Sequence, residues 1–414
     1  MISRTSVASF KKREQSLRAI GTLLGAHAIL EGSVRRAGNR VRIVAQLIDA
    51  EADHHLWADT YDRELTDIFA IQTDVALQIA AALRAELLPD ERDRIRRPPT
   101  HDMEAYQLYV QGRQCFFRYT AESFRQSIAL YDQAVARDPG FALAHAALAH
   151  VYAEFGIEGF GPLSPLLNYQ KARETIAKAL ALDDGLGDAH GIAGLIKVVC
   201  DFDWSGAEAD FKRALDLSPS SADVHDHYGW LCSALGRHDD ALRAVRRARE
   251  LDPLAHRSDV ASYLLRADRA QEALEEAARV IELDPDFPRG HSLMGFGLLK
   301  LGRLSEGVAA LERAVALSPG STLFLGQLGQ AYGMAGQPDK AQQVLRELHE
   351  LAARQYVASY HSHTCTRASA RPTRRSIGWN GPTSNGRARC TGSRARSCSR
   401  ALGRTPDSRP CCGK

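Results

Sequence analysis

The stretch Ala241-Leu242-Arg243-Ala244-Val245-Arg246-Arg247-Ala248-Arg249-Glu250-Leu251-Asp252-Pro253 decides the fold, because its pattern returns down the chain at a nearly constant interval. Counting back from Pro253, Ala248 is a small residue, Val245 a larger apolar one and Ala241 a second small one. Phrases of the same kind end at Pro139, Pro219, Pro285 and Pro319, and the degenerate copy Ala181-Leu182-Asp183-Asp184 fills the one gap. Successive anchors are 45, 35, 34, 32 and 34 residues apart. In register with them stand the small residues Ala134, Ala179, Ala214 and Ala314, and the larger Tyr131, Ile176, Phe211 and Leu311. A second small set is Ser127, Ala172, Ala207 and Gly307. Forward of the anchors come Leu148, Ala149 and Tyr152; Tyr228 and Gly229; Met294, Gly295 and Leu298; Leu328, Gly329 and Tyr332.

A period near 34 with these positions is the signature of the tetratricopeptide repeat (TPR), and the chain resembles that family over residues 103–354. Each unit is expected to be an antiparallel helix pair. Small residues let the helices close up, the large one fills the space between units, and proline ends the second helix. Leu235-Gly236-Arg237, Leu301-Gly302-Arg303 and Ala335-Gly336-Gln337-Pro338 punctuate the turns inside units. About seven units result: 103–139, 142–184, 187–219, 222–253, 256–285, 288–319 and 322–354. The first has a lengthened turn around Phe116-Phe117-Arg118-Tyr119, and the second an insertion around Gly156–Pro165. The fifth is two residues short and has Val280 where a small residue belongs, so its first helix, 256–266, is expected to be the weak point.

Residues 1–92 do not follow this period. Leu17, Ile20, Leu23 and Leu24 mark an amphipathic helix stopped by Gly25. Ala28–Arg36 and Arg40–Asp49 read as strands joined at Gly38-Asn39, with Val41, Ile43, Ala45 and Leu47 on one face; His55–Tyr61 reads as a third. Leu65–Leu88 reads as a long helix with Thr66 or Asp67 as its cap, and 93–102 as a linker. The run Leu30-Glu31-Gly32-Ser33-Val34-Arg35-Arg36-Ala37-Gly38-Asn39-Arg40-Val41-Arg42-Ile43, with Ala45–Ala50 and His55-Leu56-Trp57-Ala58-Asp59, resembles the TolB-like (FlgO-like) domain. That resemblance implies a bacterial signalling protein in which this domain precedes TPRs, downstream of a cyclase, kinase or winged-helix DNA-binding domain. Relatives carry a strand and a helix before the segment matching Ile2–Ser6, so the N-terminal block is expected to be truncated and the chain a fragment. The fold class expected is mainly α: a TPR α-solenoid preceded by a small, incomplete α+β domain.

The net charge of +3 hides an asymmetry. Residues 355–414 hold eleven Arg and Lys414 against Asp407 alone, leaving 41 basic and 49 acidic residues in 1–354. The folded body is acidic and gives no reason to expect nucleic acid. The Arg/Ser/Cys-rich tail reads either as a basic disordered arm or as coding sequence read out of frame. Cys115, Cys200 and Cys232 are too widely spaced for a disulfide framework and read as reduced thiols. With no signal peptide and no spanning segment, the expected location is cytoplasmic.

No phosphate loop, dinucleotide fingerprint, zincin motif or nucleophile elbow occurs, and Gly156, Gly159 and Gly161 follow no strand. No catalytic residue, cofactor or metal is expected. His145, His190, His225 and His291 recur at one place in four units, too far apart to converge on an ion, and are expected to be structural. His54-His55 point to opposite strand faces. His361-x-His363-x-Cys365 and Cys411-Cys412 lie in the tail without a scaffold. Asp201, Asp203, Asp210 and Asp216 read as a solvated helix face. The expected ligand is a protein or peptide, held on the concave face by first-helix residues: His150 and Glu154, Asp226 and Trp230, Phe296 and Lys300, Gln330 and Met334. Trp230 or Phe296 would be its exposed aromatic anchor. A chaperone-tail carboxylate clamp is not expected, because Asn168, in the insertion, is the single Asn of 103–354. The function expected is therefore a non-enzymatic scaffold, the sensory segment of a signalling protein. The alternatives are a regulatory fragment of an adenylate/guanylate cyclase or Ser/Thr kinase, or of a winged-helix regulator.

Overall fold

The computed structural model describes residues 16–38, 40–64, 68–83, 95–116, 121–158, 165–353 and 357. Its contacts divide the chain into Met1–Trp379 and Asn380–Lys414, and the latter lies outside the described residues. So do the Asn39 turn, Thr66 and Asp67, residues 117–120 and 159–164, and the tail clusters at His361–Cys365 and Cys411-Cys412.

The first described helix, α1 (Leu17–Leu24), starts at Ser16, whose Oγ accepts from the Ala19 N–H. It stops at Gly25, which takes φ 62°. Three antiparallel strands follow in order, β1 (Ala28–Ala37), β2 (Arg40–Asp49) and β3 (His54–Glu64), with a bulge at Leu47/Ile48. Alternation puts Val41 and Ile43 of β2 with Trp57 and Tyr61 of β3 on one face, and Ile71 and Val75 of α2 (Ile68–Ala82) cover them. Leu30 and Val34 of β1 share that face by register but stay 47% and 67% exposed, because α2 lies against β3.

Seven helix pairs make up the rest: α3 (Met103–Phe116) with α4 (Ala121–Arg137), α5 (Ala142–Glu158) with α6 (Pro165–Leu182), and α7 (Gly187–Ile196) with α8 (Trp204–Leu217). They continue with α9 (Ala222–Ala234) and α10 (His238–Leu251), then α11 (Asp259–Arg266) and α12 (Ala270–Leu283). Last come α13 (Pro288–Lys300) with α14 (Leu304–Leu317), and α15 (Thr322–Met334) with α16 (Pro338–Ala352). The fold is a TPR-type α-solenoid. Its junction with the α+β block is aromatic: Phe69 of α2 meets Tyr106 of α3 edge-on at 5.0 Å.

The packing explains the repeating residue types. Ala134, Ala179, Ala214, Ala248 and Ala314 are wholly inaccessible, and Tyr131, Ile176, Phe211, Val245 and Leu311 fill the spaces beside them. A side chain at Gly295 would place its Cβ 2.7 Å from Leu311 Cγ, so that glycine sets the closeness of α13 to α14. Second helices end two residues before each proline anchor, at Arg137, Leu217, Leu251, Leu283 and Leu317. The residue preceding proline is driven out of the helical region: Asp252 and Asp284 have ψ 88° and 90°. Gly236, Gly302 and Gly336 turn the chain inside units at φ 71–78°, and in the fifth unit Asp268 takes their place at φ 61°.

That fifth unit also departs in its first helix. Only eight residues are helical, yet Val260 to Leu265 are all buried, and Val280 fits at 4% exposure. A run of turns containing His256 replaces the missing helical turn.

Candidate functional site: a histidine–carboxylate seam on the first helices

First helices of successive units pack on one another in sequence, α3 on α5, α5 on α7, α7 on α9, α9 on α11, α11 on α13 and α13 on α15. They form a continuous inner row, and the site lies on it. Glycines of α7 let it pack closely on both α9 and its own partner α8. A Cβ on Gly191 would fall 2.7 Å from Val224 Cγ2 of α9, and one on Gly194 would fall 3.0 Å from the Phe211 ring.

Two groups of side chains converge there. In the first, His150 and Glu154 stand one turn apart on α5, with His150 Nε2 3.6 Å from Glu154 Oε1. His227 of α9 meets His150 ring to ring, centroids 5.7 Å apart at 86°. Phe116 also packs on the His150 ring, centroids 4.9 Å apart. His227 and Glu154 are buried, at 8% and 9% exposure. Burial, followed by repulsion from His150, pushes the His227 imidazole down to about 4, so it is neutral. Burial acts the same way on His150, but the Glu154 carboxylate outweighs it and raises His150.

The second group joins α9 to α11. His256 Nδ1 lies 2.9 Å from Asp259 Oδ2, and Nε2 makes an ionic contact with Asp223 Oδ1 at 3.3 Å. Burial opposes charge on this ring, but Asp223 and Asp259 hold it protonated, up to about 11. Despite their own desolvation, both partners are lowered, chiefly by His256. Asp226 moves the other way. Burial, then repulsion from Asp259, pushes its carboxyl up to about 7. Its Oδ1 is buried with no hydrogen-bond partner, while its backbone carbonyl accepts from Tyr263 Oη at 3.0 Å.

The structure thus brings His150, Glu154 and Asp226 into one seam, with Trp230 one turn beyond Asp226 on α9. Trp230 is half-buried, and the Arg266 guanidinium lies over its ring at 5.8 Å. The remaining expected residues are elsewhere. Phe296 is in the core rather than an exposed anchor, because Gly295 and Gly297 on either side draw α13 against α14 and α12. Met334 packs against the same core from its edge. Lys300 is bound by Asp268, and Gln330 is half-buried on α15. Asp223, His227, His256 and Asp259 were missed. Asp223, Asp226, His227 and Trp230 are spaced i, i+3, i+4 and i+7 on α9, so a polar stripe was legible there. His256 precedes its helix, and only tertiary packing turns it toward α9.

The recurrent histidines do something else. Nε2 of His145, His190, His225 and His291 meets the carbonyl oxygen six residues back, at Pro139, Asp184, Pro219 and Pro285, at 3.1, 3.0, 3.0 and 2.8 Å. Each ring closes the turn between units. The acids beside Trp204 are also structural. Asp203 caps α8 by accepting from Gly206 N–H, Asp210 pairs with Lys197 at 2.7 Å, and Asp201 pairs with Arg173. Asn168 is on α6 rather than in a loop, 1% exposed, which keeps it off the inner face. Cys115, Cys200 and Cys232 are free thiols.

The paired helices and their recurring small and large core residues make a solenoid of the tetratricopeptide kind. Tetratricopeptide-repeat profiles match residues 203–256, 229–288 and 298–360. A protein carrying the name adenylate cyclase 3 in Rhizobium meliloti is 42% identical over 149 residues, 36% of this chain and 25% of that protein. The transcriptional regulator HilA of Salmonella typhimurium is 31% identical over 156 residues, 37% of this chain and 27% of that protein. The chain therefore spans about a quarter of the length of these relatives. Among solved structures, yeast Tom70 aligns with TM-score 0.44 and 16% identity, over 66% of this chain and 64% of that one. No helix among the described residues is long and apolar enough to cross a membrane.

Proposed function

We propose that the chain is a non-enzymatic scaffold that holds a peptide segment of a partner protein against α5, α9 and α11, with a basic side chain of that segment at Asp226. The carrying observation is the buried, unpartnered Asp226 Oδ1, in a seam that Asp223 and Asp259 make acidic and that Trp230 flanks. A lone buried acceptor costs free energy that a cationic donor would recover. Trp230 supplies a rigid surface for the stem of the incoming side chain.

Peptides selected from a random library on the full chain test this. Lysine or arginine should be enriched among the winners, and Asp226→Asn and Trp230→Ala should each weaken them. Winners without basic residues, or indifferent to both substitutions, would overturn it.

The same reading makes the chain a regulatory segment of a bacterial signalling protein, with residues 1–92 as its TolB-like part. The cyclase-named relative and HilA support this: in both, the matching part is a minor share of a longer protein. An immunoblot with antibody to residues 203–288 separates the forms. A native product well above 414 residues means an attached effector, whereas one of 414 residues means a free scaffold.

A further inference from the structure

We propose that His150, Glu154 and His227 form a site for one divalent transition-metal ion of the zinc class, which ties the second unit of the array to the fourth. The ligand atoms lie within 4.8 Å of one another. Bonds of about 2.0–2.2 Å in a tetrahedral zinc site put ligand atoms roughly 3.4 Å apart. The 3.6 Å between His150 Nε2 and Glu154 Oε1 already meets that spacing.

Three further observations favour the set. His150 and Glu154 are fixed one turn apart on a single helix face, which sets two ligands without a loop. The His227 side chain is only 8% exposed, and its ring already faces His150 across the seam. In the neighbouring group Asp226, His256 and Asp259 the ring already has charged neighbours, Asp259 at Nδ1 and Asp223 in ionic contact with Nε2. Two imidazoles and one carboxylate are a donor set that suits zinc.

The consequence is mechanical. His150 and His227 belong to units that are not neighbours in sequence, and they meet across α7, whose Gly191 lets it lie close to Val224 of α9. An ion bound by both would lock the local curvature of the solenoid, and with it the spacing of the surfaces on α5 and α9.

The test uses the full chain under reducing conditions, with zinc alone competing against a chromophoric chelator and cobalt as a spectroscopic probe. One ion per chain is expected. His227→Gln and His150→Ala should each lower affinity by about tenfold or more, while His145→Ala, whose ring only closes a turn, should leave it unchanged. The cobalt complex should lack a thiolate charge-transfer band. No binding, binding that survives His227→Gln, or a thiolate band from tail cysteines would each overturn the site. Circular dichroism of both variants, matched to wild type before titration, makes loss of binding attributable to the ligands.

Discussion

His256 Nδ1 sits 2.9 Å from Asp259 Oδ2 across a single missing helical turn, so the shortest first helix of the array starts on an ion pair. The ring is buried, and Asp259 is mostly so. Replacing His256 by Gln would strand Asp259 and should cost about 3 kcal/mol in denaturant unfolding. The exposed Asp223 contributes little to that figure, because water screens it.

The pH dependence of this pair has a definite sign. His256 is raised from 6.5 to about 11, so its contribution is complete below pH 6.5 and lost as pH rises through 11. Asp259 is lowered, so its share is present above pH 3.8 and lost on acidification through its folded value. Asp223, Asp226, Tyr263 and Arg289 also face the pair. The stability gap between wild type and His256→Gln should be widest between about pH 4 and 6.5. It should be smaller at pH 9, as read from chemical denaturation at each pH.

Glycine at 295 is a spacing device. Gly295→Val should wedge α13 away from Leu311 and Gly307, costing about 1–3 kcal/mol. The matched change Gly236→Ala tests conformation instead, since nothing lies within 4 Å of its Cβ and only φ 75° opposes it. Thermal unfolding should separate the two, because Leu311→Ala should relieve Gly295→Val and leave Gly236→Ala untouched.

The turn histidines should behave as interchangeable parts. His145→Ala and His291→Ala should each lose about 1 kcal/mol, the worth of one hydrogen bond to a turn carbonyl. Separated by several units, the two losses should add within about 0.5 kcal/mol in a double variant.

Asp268 holds a left-handed conformation where the fourth, sixth and seventh units place Gly236, Gly302 and Gly336. Asp268→Gly should stabilise the fifth unit by about 0.5 kcal/mol through relief of that conformation. The price is release of Lys300, whose partner is 85% exposed and therefore contributes little. Hydrogen exchange in α11 and α12 should slow; faster exchange would show that the ion pair outweighs the backbone term.

The repeat was legible because each unit must solve the same packing problem with nearly the same residues. Ala214, Phe211 and Ala207 stand at fixed intervals before Pro219, and every one of them is inaccessible in the fold. The candidate site was legible in part. His150, Glu154, Asp226 and Trp230 follow from counting along first helices. That counting failed at Phe296, where two glycines bring the helix into its neighbours and turn a nominal surface position into core. It also passed over His227, which stands beside Asp226 in sequence but acts with His150, seventy-seven residues away.

The sequence by itself determined the helix pairs, their boundaries at proline and glycine, and the recurrence of small and large core residues. These are local properties, set by backbone sterics and by a period that repeats within about 34 residues. Only the tertiary structure decided which polar residues face one another. Contact between α5, α9 and α11 depends on how far each unit rotates against the next. That rotation is a sum of many packing contacts, such as Gly191 against Val224, and no single motif carries it. The convergence of His150, Glu154 and His227, and the clasp of His256 by two aspartates, are consequences of that summed curvature.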